Sequence, residues 1–138
     1  MRVSLPHRLS GYTTIGRSSR SSDRSPSWNQ MYGLVATDLL GSGVRADARL
    51  SRFDSPFGRG WYQTIMLSRE LSEHLRIELK GGQQDIRSGL SNNNRARFLT
   101  SYFDWFLGTH FVLGGGYTLY RGDQQNYDQA SANLGYRF

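Results

Sequence analysis

The sequence has no cysteine, only three prolines and no long hydrophobic run. The absence of cysteine excludes a disulfide framework, a thiol nucleophile and a cysteine-based zinc site. No window approaches the roughly 18 consecutive apolar residues of a membrane-spanning helix, so a helical span is excluded. A chain of 138 residues is expected to form a single domain, residues 1–138.

Charge and aromatic content are both distinctive. The net charge is +6, which taken alone suggests a nucleic acid or an anionic surface as partner. Aromatic residues make up 13% of the chain and there are 16 glycines, a composition that suits strands and turns. Mean hydropathy is negative, as in soluble proteins. A transmembrane barrel has the same low average, because only every second residue of its strands contacts lipid.

Apolar residues recur at every second position along most of the chain, which predicts strands. The alternation predicts eight antiparallel strands at 8–16, 28–39, 43–53, 61–69, 73–83, 96–107, 109–121 and 128–138. Short connections at 40–42, 70–72 and 108 alternate with longer ones at 17–27, 54–60, 84–95 and 122–127. Bacterial barrels show this rhythm, with tight periplasmic turns and longer extracellular loops.

One alternation phase holds the apolar residues and no charge. Outside 28–39 it consists of residues 9, 11, 13 and 15; 44, 46, 48 and 50; 61, 63, 65 and 67; 75, 77 and 79; 99, 101, 103, 105 and 107; 111, 113, 115, 117 and 119; and 130, 132, 134, 136 and 138. In 28–39 it comprises Met31, Gly33, Val35, Thr37 and Leu39. A charged side chain at mid-bilayer costs roughly 2–4 kcal/mol in a barrel. The charge-free phase is therefore predicted to face lipid.

The opposite phase carries charged and polar residues and is predicted to face the lumen. The predicted lumen charge network consists of Arg45, Asp47, Arg49, His74, Arg76, Glu78, Lys80, Asp104 and Arg137. An eight-stranded interior is only wide enough for side chains to fill it, which favours a salt-bridged plug. A selectivity ring for an anion or small solute is the alternative interpretation.

Aromatic residues cluster near the ends of the predicted strands. The predicted girdle consists of Trp28, Trp61, Trp105, Tyr117 and Tyr136, as at the two interfaces of a membrane protein. Base stacking by a nucleic-acid binder is the competing interpretation. It is disfavoured because aromatic and basic residues fall largely on opposite phases, so no nucleic-acid partner is predicted.

The last residues carry a family resemblance. Leu134, Tyr136 and Phe138 place apolar side chains at alternate positions and end the chain on an aromatic residue. This pattern resembles the C-terminal β-signal of bacterial outer-membrane barrels, which the assembly machinery reads. The whole chain resembles the small eight-stranded barrels of the OmpA and OmpX type. The resemblance implies an eight-stranded antiparallel up-and-down transmembrane β-barrel in the bacterial outer membrane, in contact with the bilayer, lipopolysaccharide and that machinery.

No catalytic residue, metal site or cofactor is predicted. No serine is obviously placed beside His74 or His110 for a hydrolase, and no His/Asp/Glu spacing is typical of a metal site. The expected function is therefore a non-enzymatic barrel with a largely plugged lumen and a structural or loop-mediated surface role. The oligomeric state is left open.

Two alternatives remain open. One is a porin-like channel, or the C-terminal strands of a wider transport barrel; residues 1–6 have no apolar segment typical of a signal peptide, which predicts a mature chain or a C-terminal piece. The other is a soluble lipocalin-like barrel that binds a small ligand.

Overall fold

The computed structural model describes residues 2–5, 8–19, 26–56, 58–88 and 93–136. The chain forms one antiparallel sheet in which each strand pairs only with its sequence neighbours. The strands are β1 (Arg2–Leu5), β2 (Leu9–Ser18), β3 (Ser27–Ala36), β4 (Arg45–Ser55), β5 (Gly58–Ser72), β6 (Leu75–Ser88), β7 (Asn94–Leu107), β8 (Phe111–Gly122) and β9 (Asn126–Tyr136). A 3-10 turn, Leu39–Gly41, lies between β3 and β4. Within the described ranges, no helix is long and apolar enough to span a membrane.

The prediction of an all-β chain with eight up-and-down antiparallel strands is confirmed by β2 to β9. Strand β1 was not predicted, and it adds four residues to the edge of the sheet beside β2. Closure is not observed: across the described residues, no ladder joins the first strands to β9. The sheet is therefore open, with one edge at β1 and the other at β9.

The predicted rhythm of short and long connections is wrong. At one edge of the sheet, called the lower edge, the connections are 6–8, 37–44, 73–74 and 108–110. At the opposite, upper edge they are 19–26, 56–57, 89–93 and 123–125. Each edge thus has one connection of eight residues and several short ones. The cause is that the strands continue through polar stretches assigned to loops, because a backbone ladder forms whatever the polarity of the side chains.

Register assigns every strand residue to one of two faces. The apolar face carries the odd-numbered residues of β2 and β5 to β8 and the even-numbered residues of β3, β4 and β9. The other residues of these strands form the polar face, and the rule holds in β5 up to the register shift between Glu70 and Ser72. The predicted phase is correct for every predicted strand except 28–39. There the apolar face receives Trp28, Tyr32 and Leu34, whereas Met31, Gly33 and Val35 lie on the polar face.

Burial is inverted relative to a soluble protein. On the polar face Asp47, Thr64 and Ser68 are each only 8% exposed, whereas on the apolar face Ile65 is 59% exposed and Leu134 is 69% exposed. Soluble domains bury apolar residues and expose charged ones. In the described strands, most of the buried polar side chains thus lie on the polar face, and most of the exposed large apolar side chains lie on the apolar face.

The accessible surface of the chain is large. It amounts to 10378 Å², whereas a compact soluble monomer of this mass exposes about 7,300 Å². No large apolar side chain in the described part of the chain is fully buried. Among the residues described, the buried apolar side chains are the small ones of Ala36 and Ala96, so the apolar face needs another medium or another surface to cover it.

Candidate functional site

The polar face gathers most of the predicted lumen charges in the lower half of the sheet. Seven of the nine residues lie there: Arg45, Asp47 and Arg49 on β4, Arg76, Glu78 and Lys80 on β6, and Asp104 on β7. His74 instead lies in the exposed connection between β5 and β6. Arg137 is outside the described residues.

These charges are only loosely paired. Arg49 lies 3.5 Å from Asp47 and Arg76 lies 3.7 Å from Glu78, measured between nitrogen and carboxylate oxygen. Within the described chain Arg45, Lys80 and Asp104 form no ion pair. The open sheet thus gathers mixed charges on one face, with two long ion pairs among them in the described chain; the salt-bridged plug stays a prediction.

Glycines on the polar face make room for aromatic rings of the neighbouring strand. A Cβ added at Gly33 lies 2.1 Å from the ring of Tyr12, and one added at Gly82 lies 2.6 Å from the ring of Phe98. Phe98 also stacks on Tyr62, with 6.1 Å between ring centroids. Sequence reasoning missed these pairs. The available signal was a glycine on one strand directly opposite an aromatic residue on the next.

The apolar face carries all five predicted girdle residues, Trp28, Trp61, Trp105, Tyr117 and Tyr136. Trp28 and Trp61 lie near the upper edge, Trp105 and Tyr136 lie near the lower edge, and Tyr117 lies between them. Two levels of aromatic residues therefore flank the apolar residues of this face. These apolar residues are called the apolar band, which on β7 runs from Leu99 to Leu107.

The C-terminal signal residues fall on the same face where they are described. Leu134 and Tyr136 are both exposed on β9, and Tyr136 packs edge to face against Phe111, with 5.1 Å between ring centroids. Phe138 lies outside the described residues.

Above the apolar band the same face carries a belt of charge. The extended strands place there Arg17, Arg52, Arg59, Arg87, Arg95, Arg97 and Arg121, together with Asp54, Asp85 and Asp128. This set is called the arginine belt. The sequence pattern predicts that most of these residues lie in loops. Arg69, near the lower edge, also lies on this face. Apart from it, the strand charges are offset, low on the polar face and high on the apolar face.

Some belt arginines are already neutralised. Asp85 accepts from Arg95 at 2.9 Å and from Arg87 at 3.5 Å, and Arg121 donates to Asp128. Arg52, Arg59 and Arg97 form no ion pair in the part of the chain that the structure describes.

Two connected grooves cross the apolar face where the band meets the belt. The lower groove, of about 620 Å³, is lined by Leu34, Leu50 and Ile65, and the small residues Ala48 and Gly81 leave space between them. Its upper end is polar: Arg97 lies there beside Gln63 and Gln83, whose side chains are hydrogen-bonded at 2.9 Å.

The upper groove, of about 560 Å³, continues from the lower one and shares Leu50 and Gln63 with it. It is lined by Arg52, Arg59, Arg87, Asp85 and Trp61. An apolar channel thus runs directly into a basic one on the same surface.

In the described ranges, no group of three or more His, Cys, Asp or Glu residues is arranged to hold a metal ion. Comparison of the chain with protein-family models, curated proteins and solved structures gave no match. The resemblance to small outer-membrane barrels therefore stays a prediction that rests on the sequence pattern.

Proposed function

We propose that the chain is a membrane-embedded β-sheet of the bacterial outer-membrane type, with its apolar face toward lipid and its polar face toward a barrel interior. One observation carries the proposal: most large apolar side chains of the apolar face are exposed, whereas Asp47, Thr64 and Ser68 on the polar face are buried. Lipid is the medium that makes this inverted burial stable, because it replaces the missing hydrophobic core of the sheet. A lipocalin-like barrel needs the reverse arrangement.

The height of the apolar band supports the same proposal. On β7 the band runs from Leu99 to Leu107, nine residues that extend about 27 Å along the strand. A transmembrane strand needs roughly 9–11 residues. The aromatic levels at either end of the band match the two interfaces of a bilayer.

The proposed role is non-enzymatic. The sheet anchors the chain in the outer membrane after delivery by the barrel-assembly machinery, and its connections act as a structural element or surface contact. The arginine belt supports contact of the upper edge with lipopolysaccharide, because planar guanidinium groups pair well with phosphate.

The proposal predicts a requirement for detergent or lipid. Refolded from denaturant into plain buffer, the chain is expected to aggregate, because its apolar face has nothing to cover it. In neutral micelles it is expected to give a monodisperse species with a far-UV spectrum of β-sheet, measured by size-exclusion chromatography and circular dichroism. A monodisperse, folded monomer in plain buffer would contradict membrane embedding.

A second candidate function is favoured by the open edges of the sheet. Outer strands β1 and β9 each pair on one side only, within the residues described. An unpaired strand edge is unstable in hydrocarbon, where each unsatisfied backbone group costs several kcal/mol. Strands from further sequence or from another copy would then complete a wider, porin-like barrel, in which Arg45, Arg49 and Arg76 line an anion path.

Conductance separates the two candidates. A sheet that closes on itself leaves an interior filled by side chains, so no large steady conductance is expected in planar bilayers. Steady porin-sized steps with anion preference would overturn the plugged barrel and favour the wider one. Arg49→Gln tests the origin of such steps. It should reduce their anion preference only if they arise from a pore lined by the polar face.

A further inference from the structure

We infer that the two connected grooves on the apolar face form a site for one membrane lipid with a phosphate-bearing headgroup. This inference rests on the proposed membrane function and assigns a specific ligand class to part of the lipid-facing surface. The acyl chain would lie in the lower groove and the headgroup in the upper one.

The lower groove has the chemistry of an acyl-chain site. Ile65 pairs with Ala48 on one side and with Gly81 on the other, so two small residues flank a large one near the middle of β5. The resulting space is bounded by Leu34 and Leu50. It lies on a face that the proposed orientation turns toward lipid tails.

The upper groove has the charge that a phosphate requires. Arg52 and Arg59 both line it and neither has an ion-pair partner among the residues described. Its carboxylate, Asp85, is already bonded to Arg87 and Arg95, which compensates the repulsion that a free carboxylate exerts on an anion. Arg97, at the junction of the grooves, adds a third unpaired cation.

The geometry favours a lipid over a free anion. The basic and apolar grooves share Leu50 and Gln63, so a ligand that fills both must be apolar at one end and anionic at the other. A free phosphate gains nothing from the lower groove. Arg52 and Arg59, near the interface, should each strengthen the binding of an anionic lipid about fivefold.

The test uses the full chain in neutral micelles with a tryptophan reporter. Trp61 lines the upper groove, and Trp28→Phe with Trp105→Phe leaves it as the single tryptophan of the three. Quenching by phosphatidic acid with brominated acyl chains is compared with quenching by brominated phosphatidylcholine. Saturable quenching at lower concentration is expected for phosphatidic acid, and equal curves for the two lipids would overturn the site.

Two pairs of variants separate the headgroup and acyl components. Arg52→Gln and Arg59→Gln should each weaken phosphatidic acid binding about fivefold, whereas Arg69→Gln, on the same face near the lower edge, should not. Gly81→Leu fills the lower groove and should weaken binding, whereas Gly11→Leu, on the same face outside the groove, should leave it unchanged. The nearest described atoms to an added Cβ are 3.7 Å away at Gly81 and 3.8 Å away at Gly11.

The remaining outcomes also decide the question. Equal effects within either pair would overturn the site while leaving membrane embedding intact, provided that circular dichroism shows the variants folded. Displacement of the lipid by excess inorganic phosphate would overturn it in favour of a simple anion site. Failure of the parent chain to form β-sheet in micelles would remove the proposed membrane function, and the lipid site with it.

Discussion

Ile65→Arg is expected to destabilise the sheet in a bilayer by about 2–4 kcal/mol, the cost of an arginine at the midplane on the lipid face of a barrel. Ile65 lies near the middle of β5 on the apolar face and is 59% exposed. At such an exposed site in a soluble protein, the same change alters stability by less than about 0.5 kcal/mol. A large loss of stability is therefore expected only if this face meets lipid.

The matched control is Ile15→Arg. Ile15 lies on the same face and is 61% exposed, but it is near the upper end of β2 and pairs with Gln30, which in turn pairs with Arg52 of the belt. Near an interface the cost falls to about 0–1 kcal/mol. Both free energies of unfolding are measured by urea titration of the chain in lipid vesicles. Equal costs for the two variants would mean that depth has no influence and that this face does not meet lipid.

Gly82→Ala is expected to destabilise the folded chain by about 1–3 kcal/mol, the usual cost of overpacking. The added methyl group would lie 2.6 Å from the ring of Phe98 and 2.7 Å from the backbone oxygen of Gln63. The ring cannot move without disturbing its stacking on Tyr62, and the backbone oxygen belongs to a continuous ladder.

Gly81→Ala is the control, because Gly81 is adjacent to Gly82 in sequence but lies on the opposite, apolar face. Its added methyl group meets nothing closer than 3.7 Å, so the change should stabilise by about 0.4–1 kcal/mol through the lower entropy of the unfolded chain. Both variants are compared with the parent by chemical unfolding under the condition that folds it. A reversed order of stability would show that Phe98 does not cover Gly82 and that the register or the faces are wrong.

The sequence pattern predicts strand type and face well where one face of a strand carries few apolar residues. In β6, Leu75, Ile77 and Leu79 alternate with Arg76 and Glu78, and the phase is correct. In β3, Met31 and Val35 alternate with Tyr32 and Leu34. Both phases there are apolar, so periodicity carried no information and only the hydrogen-bond register decides the face.

Polarity misplaced the ends of the strands. Asp54, Arg59 and Arg87 were assigned to loops, yet all three lie within paired strands. Their side chains project from the surface and leave the backbone free to pair. The same error concealed most of the arginine belt, because six of its ten residues belong to the apolar face only once the strands are known to continue. The grooves were not predictable, since they depend on cross-strand neighbours such as Ala48 and Gly81.

Pairing between sequence neighbours alone has an energetic consequence. Each interior strand is stabilised by two adjacent ladders and each outer strand by one, so stability resembles a chain of nearest-neighbour couplings. The loss of β1 or β9 leaves every other ladder intact, whereas a break between β5 and β6, the most extensive pairing, divides the sheet into two independent parts. The cooperativity of unfolding therefore depends on the middle of the sheet. The hairpin is the unit by which such a sheet can be lengthened or shortened without changing the other ladders.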